Sequence, residues 1–189
     1  MCKPMTSSLH VQASKQRSFI KMTLSLTKHL LTLQISPPYS SATQHTFLTQ
    51  AGNGTLPHSS LALWLSQDRI YAGHAYPRFI GALISRIPFH QADSISGPRE
   101  QHHQKILTIL VKCLDNVVQE IGFFGEVAGK WNLNMEGFIE RKGTRDYTAE
   151  MARVANSGSF TDGLVFLWAM ERVSIFIWKR YSIQNDTLT

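Results

Sequence analysis

A chain of 189 residues with a formal charge of +6 is one domain by size, long enough for a continuous hydrophobic core. The charge is not a nucleic-acid footprint: residues 1 to 67 hold Lys3, Lys15, Arg17, Lys21 and Lys28 and no acid, the rest is nearly balanced, and no Lys/Arg stripe with interleaved aromatics is visible. Cys2 and Cys113 lie too far apart for a disulfide framework, and no apolar run reaches the roughly 18 residues of a membrane span.

Residues 1–22 are polar, rich in Ser and Lys and free of acid, which suits a mitochondrial presequence or a disordered extension. They lack the apolar run and small-residue cleavage site of a secretory signal, so the expected compartment is the cytoplasm, with the mitochondrion as the alternative. A helical period begins at Leu24 and continues through Leu26, Leu30 and Leu31. It breaks at Pro37-Pro38 and resumes as a short helix from about Ser41 to Thr49. The turn Gly52-Asn53-Gly54 and Pro57 then introduce a helix reaching about Ile87, in which Pro77 removes a backbone donor and predicts a kink near Gly73.

Asp68 stands out on that helix. Residues three and four apart share a helix face, so Leu61, Trp64, Leu65, Asp68, Tyr71, Ala72 and Ala75 form one stripe with an acid in its middle. An unpaired ionised carboxylate there costs roughly several kcal/mol. The position therefore calls for an Arg or Tyr partner from a neighbouring helix, a shifted pKa, or a polar ligand.

A polar loop from Gln91 to Pro98 precedes the longest helix, about Arg99 to Trp131, with Ile106, Leu110, Cys113, Val117, Ile121 and Phe124 on its core face. Cys113 reads as a small buried hydrophobe, and Glu120 lies near the same face. Beyond a loop from Asn132 to Gly143, Tyr147, Met151 and Val154 fall in register on a helix that Ser157-Gly158-Ser159 stops. The last helix, Thr161 to about Trp178, aligns Leu164, Leu167, Trp168, Glu171 and Ile175. No strand-like alternation competes, so the class is all-α, a bundle of about six helices spanning residues 23–178, followed by a polar tail at 179–189. Asp68, Glu120 and Glu171, on inward faces of three helices, can converge only inside the bundle, where bundle sites are built.

Gly52-Asn53-Gly54-Thr55-Leu56-Pro57, followed by Trp64-Leu65-Ser66-Gln67-Asp68 and Tyr71, resembles the TenA/thiaminase II family of the haem oxygenase-like fold. The resemblance covers about Leu30 to Val173, with further matches at Lys130-Trp131 and Phe166-Leu167-Trp168-Ala169-Met170-Glu171. It implies hydrolysis of an aminopyrimidine from a thiazolium or an amine, in breakdown and salvage of thiamin. It assigns Asp68 to ring binding and catalysis, Tyr71 and Tyr147 to the pocket wall, and Glu171 and Glu120 to catalysis. The expected partner is a small aminopyrimidine rather than nucleic acid or membrane, with no cofactor and no metal, and the apolar surface left by missing helices would favour either poor solubility or a homo-oligomer. Many members carry a catalytic Cys where this chain has Met170, whose thioether cannot act as that nucleophile. The Trp168-Ala169-Met170-Glu171 run is instead similar to the Cys-lacking TenA_E branch, where an acid takes the place of the thiol.

The pattern departs near Ser174. Family domains continue for further helices and supply another catalytic Glu, so a C-terminally shortened chain is expected, with Phe166, Trp168 and Phe176 partly uncovered. The alternative function is then an inactive relative that binds an aminopyrimidine or a partner subunit. Other readings have thinner support: His29 or His45 as haem ligands come without further motifs, and Glu100-Gln101-His102-His103 is one Glu-x-x-His where a di-iron site needs two. A serine hydrolase lacks Gly-x-Ser-x-Gly. A cofactor-free oxidase similar to the PqqC relatives shares the fold, and fold alone does not separate the two.

Overall fold

The computed structural model describes residues 25–185, and the side chains of residues 25–174. The extension at 1–22, Cys2, the side chains of Ile175 and Phe176, and the polar tail's side chains lie outside the described residues. Contacts divide the chain after Pro38. Before that point, α1 (Leu26–Leu30) is capped by Ser25, whose Oγ accepts from the Lys28 N–H, and it buries no residue. The expected apolar face therefore does not pack: Leu26 is 55% and Leu31 50% exposed, because five residues make little more than one turn.

From Tyr39 the chain is a helical bundle, and the described residues are all-α. The single short helix expected at about Ser41 to Thr49 is two, α2 (Tyr39–Thr43) and α3 (Thr46–Gly52). His45 separates them, its Nδ1 accepting from the Phe47 N–H at 3.1 Å as the cap of α3. In the turn after α3, Gly54 adopts φ +72°, and Asn53 Oδ1 accepts from both the N–H and the hydroxyl of Thr55.

The helix expected from Pro57 to about Ile87 is interrupted where the proline predicts. It comprises α4 (His58–Ile70), a π-helical turn (Tyr71–Ala75) and α5 (Tyr76–Ser85). Pro77 offers no N–H to the carbonyl four residues back, and its ring crowds that carbonyl. The chain answers with one wider turn, in which the Tyr76 N–H bonds to the Tyr71 carbonyl five residues back.

Helix α5 is the centre of the molecule. Phe79, Ile80 and Leu83 are almost entirely buried, and the helix packs against α6 (Pro98–Lys130), α7 (Lys142–Ser157) and α8 (Phe160–Asn185). On α6, Leu110, Val117 and Phe124 are buried at seven-residue spacing, whereas Ile121 is 38% exposed. Helix α8 comes close to α5 because it presents Gly163, where a Cβ would collide with the Leu83 side chain. Ser159 and Asp162 cap α8 reciprocally, N–H to side chain in each direction, and α8 runs to Asn185, past the expected end near Trp178.

Arg86, just after α5, donates to the Ala155 carbonyl at 2.8 Å and to the Gly158 carbonyl, so a guanidinium satisfies acceptors at the C-terminal end of α7. Arg86→Ala is expected to lower folding stability by about 2 kcal/mol, the scale of lost charge-assisted hydrogen bonds to partly buried acceptors. Urea denaturation of the variant beside the wild type checks this.

Candidate active site

Six segments bring their polar side chains to one place. Asp68 comes from α4, Tyr71 from the π-turn, Tyr76 from the start of α5, Glu120 from α6, Tyr147 from α7 and Glu171 from α8. The Tyr76 hydroxyl donates to Glu171 Oε1 at 2.6 Å. The Tyr71 ring lies 5.9 Å from that of Tyr76, edge to face, and 5.4 Å from that of Tyr147. Phe166 closes the group, 6.2 Å from Tyr147 and 5.6 Å from Phe79. On a regular α-helix, residues five apart point roughly 140° away from each other. Tyr71 and Tyr76 meet because the π-turn winds five residues into about one turn.

The electrostatics are those of acids crowded together without cations. Burial pushes the Asp68 carboxyl up from its ordinary 3.8 to about 7, and the neighbouring charge of Glu120 adds to the shift. Glu120 is raised by burial and then by Glu171. Among the described residues, ion pairs join Arg99 to Asp93, Lys142 to Asp146 and Arg153 to Glu150, and none reaches these three acids. Burial also pushes the Tyr147 phenol up to about 12; the hydrogen bond with Tyr71 opposes this, and the charges of Glu171 and Asp68 reinforce it. Tyr71 and Tyr76 are pushed well above the ordinary phenol range, by burial first, with Tyr76 further held neutral by its bond to Glu171. At neutral pH the cluster therefore offers protonated phenols as donors and, in Asp68, a carboxyl that is only partly ionised.

Not every sequence expectation lands inside. Leu65 is buried, but Trp64 is 37% exposed and tilts against Phe47 at 5.6 Å, so the stripe holding Asp68 narrows at that turn. Met170 is buried in the core. Cys113 is only half-buried and touches the cluster: burial raises its thiol pKa, a hydrogen bond with Tyr76 opposes that, and the Glu171 charge adds to it. The thiol packs against the hydrophobic core, as its sequence position suggests, though it is half-buried rather than buried. His45 is committed to capping α3, and Glu100 to the Gln104 amide at 2.8 Å, while His103 is buried beside Phe89. No group of three His, Cys, Asp or Glu residues is placed to hold a metal ion among the described residues.

Two residues escape sequence reasoning. Tyr76 is off the Asp68 face of any regular helix, and Pro77 one residue later is the signal that the helix is not regular. Gln67, next to Asp68, turns the other way and bonds to the segment that opens α7: its Nε2 donates to the Ile139 carbonyl at 3.0 Å and its Oε1 accepts from the Arg141 N–H at 2.7 Å.

No family model matches the chain. It is 28% identical over 151 residues to a probable transcription factor of Fusarium pseudograminearum (strain CS3096), a match covering 78% of this chain and 29% of that protein. It is 23% identical over 136 residues to a probable bifunctional TENA-E protein of Glycine max, covering 71% of this chain and 55% of that one. The chain thus spans less than a third of the first relative and about half of the second. Its fold is similar to the X-ray structure of a TenA homologue from Pyrococcus furiosus, with a TM-score of 0.60 at 20% identity, over 74% of this chain and 60% of that one. The Gly-turn and Gln67-Asp68 motif, the TENA-E relative and the shared helical architecture agree: the chain has the all-helical fold of that TenA homologue and is similar in sequence to a TENA-E protein.

Proposed function

We propose that the chain is an aminopyrimidine hydrolase acting in thiamin breakdown or salvage, with Asp68, Glu120 and Glu171 as its catalytic acids. One observation carries the reading: a buried Asp68 carboxyl raised to about 7, one helix turn from a tyrosine pair and facing other acids instead of a cation. A carboxyl near half-protonation at neutral pH suits the edge of an aminopyrimidine. Its O–H donates to a ring nitrogen while its carbonyl oxygen accepts from the exocyclic amine. Tyr71 and Tyr147 then flank the ring.

Hydrolysis breaks the bond between the pyrimidine methylene carbon and the leaving nitrogen and forms a bond from that carbon to water oxygen. One carboxylate accepts a proton from the water, and a protonated carboxyl gives one to the leaving amine. Glu171, held at Oε1 by the Tyr76 hydroxyl, and Glu120 beside it supply these two roles. A second reading takes the protein as an inactive relative. On that reading the pocket binds an aminopyrimidine or a partner subunit without turnover.

Ammonia release from aminomethyl-aminopyrimidine, measured beside thiamin as substrate, separates the two. Asp68→Asn is expected to reduce release about 100-fold or more with helical content unchanged; equal activity in the variant removes Asp68 from the reaction, and binding without release by the wild type favours the second reading. Tyr76→Phe is expected to lower kcat about tenfold with KM nearly unchanged, since it takes one hydrogen bond from Glu171. Equal losses in kcat and affinity would instead make that bond part of ring binding.

Stability carries a pH signature of the same carboxyl. Because the folded state holds the Asp68 proton up to about 7 and the unfolded state releases it near 3.8, the folded state binds more protons in between. This group's contribution therefore falls as pH rises from about 4 to 7 and is flat above. Urea midpoints across that window are expected to decline in the wild type and to decline less in Asp68→Asn.

A further inference from the structure

Gln67 takes no part in the chemistry above, yet its amide is satisfied three times by the start of another helix. Besides the Ile139 carbonyl and the Arg141 N–H, the Thr144 hydroxyl donates to Gln67 Oε1 at 2.8 Å. Arg141 is the cap residue of α7, its side chain makes no capping bond, and the first turn of α7 contains no acid. In an ordinary capping box, a Glu or Gln at the third helical position reaches back to the cap residue's N–H. Here that third position is Thr144, and the oxygen bonding the Arg141 N–H comes from α4.

This cross-helix cap sits one turn from the pocket on both helices. Tyr71 is four residues beyond Gln67 and Tyr147 three beyond Thr144, so each tyrosine shares a face with its half of the cap. The two rings then meet at 5.4 Å. We propose that Gln67 is a positioning residue: it gives α7 the cap that α7 lacks, and so sets the Tyr71–Tyr147 wall that flanks the substrate ring. The inference rests on the reading of the pocket as an aminopyrimidine site. Ile139 and Arg141 are exposed, so water can replace their bonds. Losing the amide then costs register more than overall stability.

The test compares wild type, Gln67→Met and Gln67→Glu by hydrogen–deuterium exchange over residues 141–147, near-ultraviolet circular dichroism of the tyrosines, and steady-state kinetics on aminomethyl-aminopyrimidine. Gln67→Met is expected to speed exchange in that stretch about tenfold and to raise KM by a similar factor, with kcat within about threefold. Gln67→Glu keeps the acceptor for Arg141 and Thr144 and is expected to restore both toward wild type. Unchanged exchange in Gln67→Met overturns the cap, and faster exchange with unchanged KM overturns the positioning role. If wild type neither binds nor hydrolyses the aminopyrimidine, the pocket reading fails by itself; the exchange and tyrosine dichroism then decide whether Gln67 orders the wall, and unchanged values in Gln67→Met overturn it.

Discussion

Pro77 has no N–H to give, and the centre of the bundle depends on how its helix accommodates that loss. A straight α-helix through Tyr71 to Ser85 would leave a carbonyl unsatisfied and crowded by the proline ring. The π-turn at Tyr71–Ala75 relieves both and rotates α5 relative to α4, so that Phe79, Ile80 and Leu83 enter the core while Tyr76 swings back to the side of Tyr71. The same backbone adjustment thereby sets the core packing of α5 and the polar cluster. It also lets Tyr76 reach Glu171 on α8, a residue 95 positions away.

The cluster is the costly part of the fold. Three carboxyl groups are partly or largely withdrawn from water, and phenols rather than cations surround them. A protein stabilising buried charge for structural purposes pairs it with Arg or Lys. This one does not, and burial together with neighbouring acids raises the Asp68 and Glu120 carboxyls above their ordinary values. Groups poised this way occur at functional sites more often than elsewhere.

The chain also departs from the pattern of many TenA relatives. Met170 stands where a nucleophilic thiol is expected and is buried in the core, whereas Cys113, arriving from α6, lies against Tyr76. Burial and, more weakly, the Glu171 charge raise that thiol's pKa, against the opposing bond with Tyr76. On the proposed reading the acids rather than a thiol move protons, in line with the resemblance of the Trp168–Glu171 run to the Cys-lacking branch.

Much of this was legible in the sequence because helices write their burial pattern into local spacing. The all-α class, the long helix from about Arg99 to Trp131, the stop at Ser157-Gly158-Ser159, the break near Gly73 and the inward placement of Asp68 all come from the 3.6-residue period and from Gly and Pro chemistry. Other features exist only in three dimensions. The outward tilt of Trp64 against Phe47, the bond from Tyr76 to Glu171 and the Gln67 amide capping α7 all depend on contacts between segments distant in sequence. Local spacing states which face of a helix is buried; which side chain of another helix faces it is decided only when the helices pack.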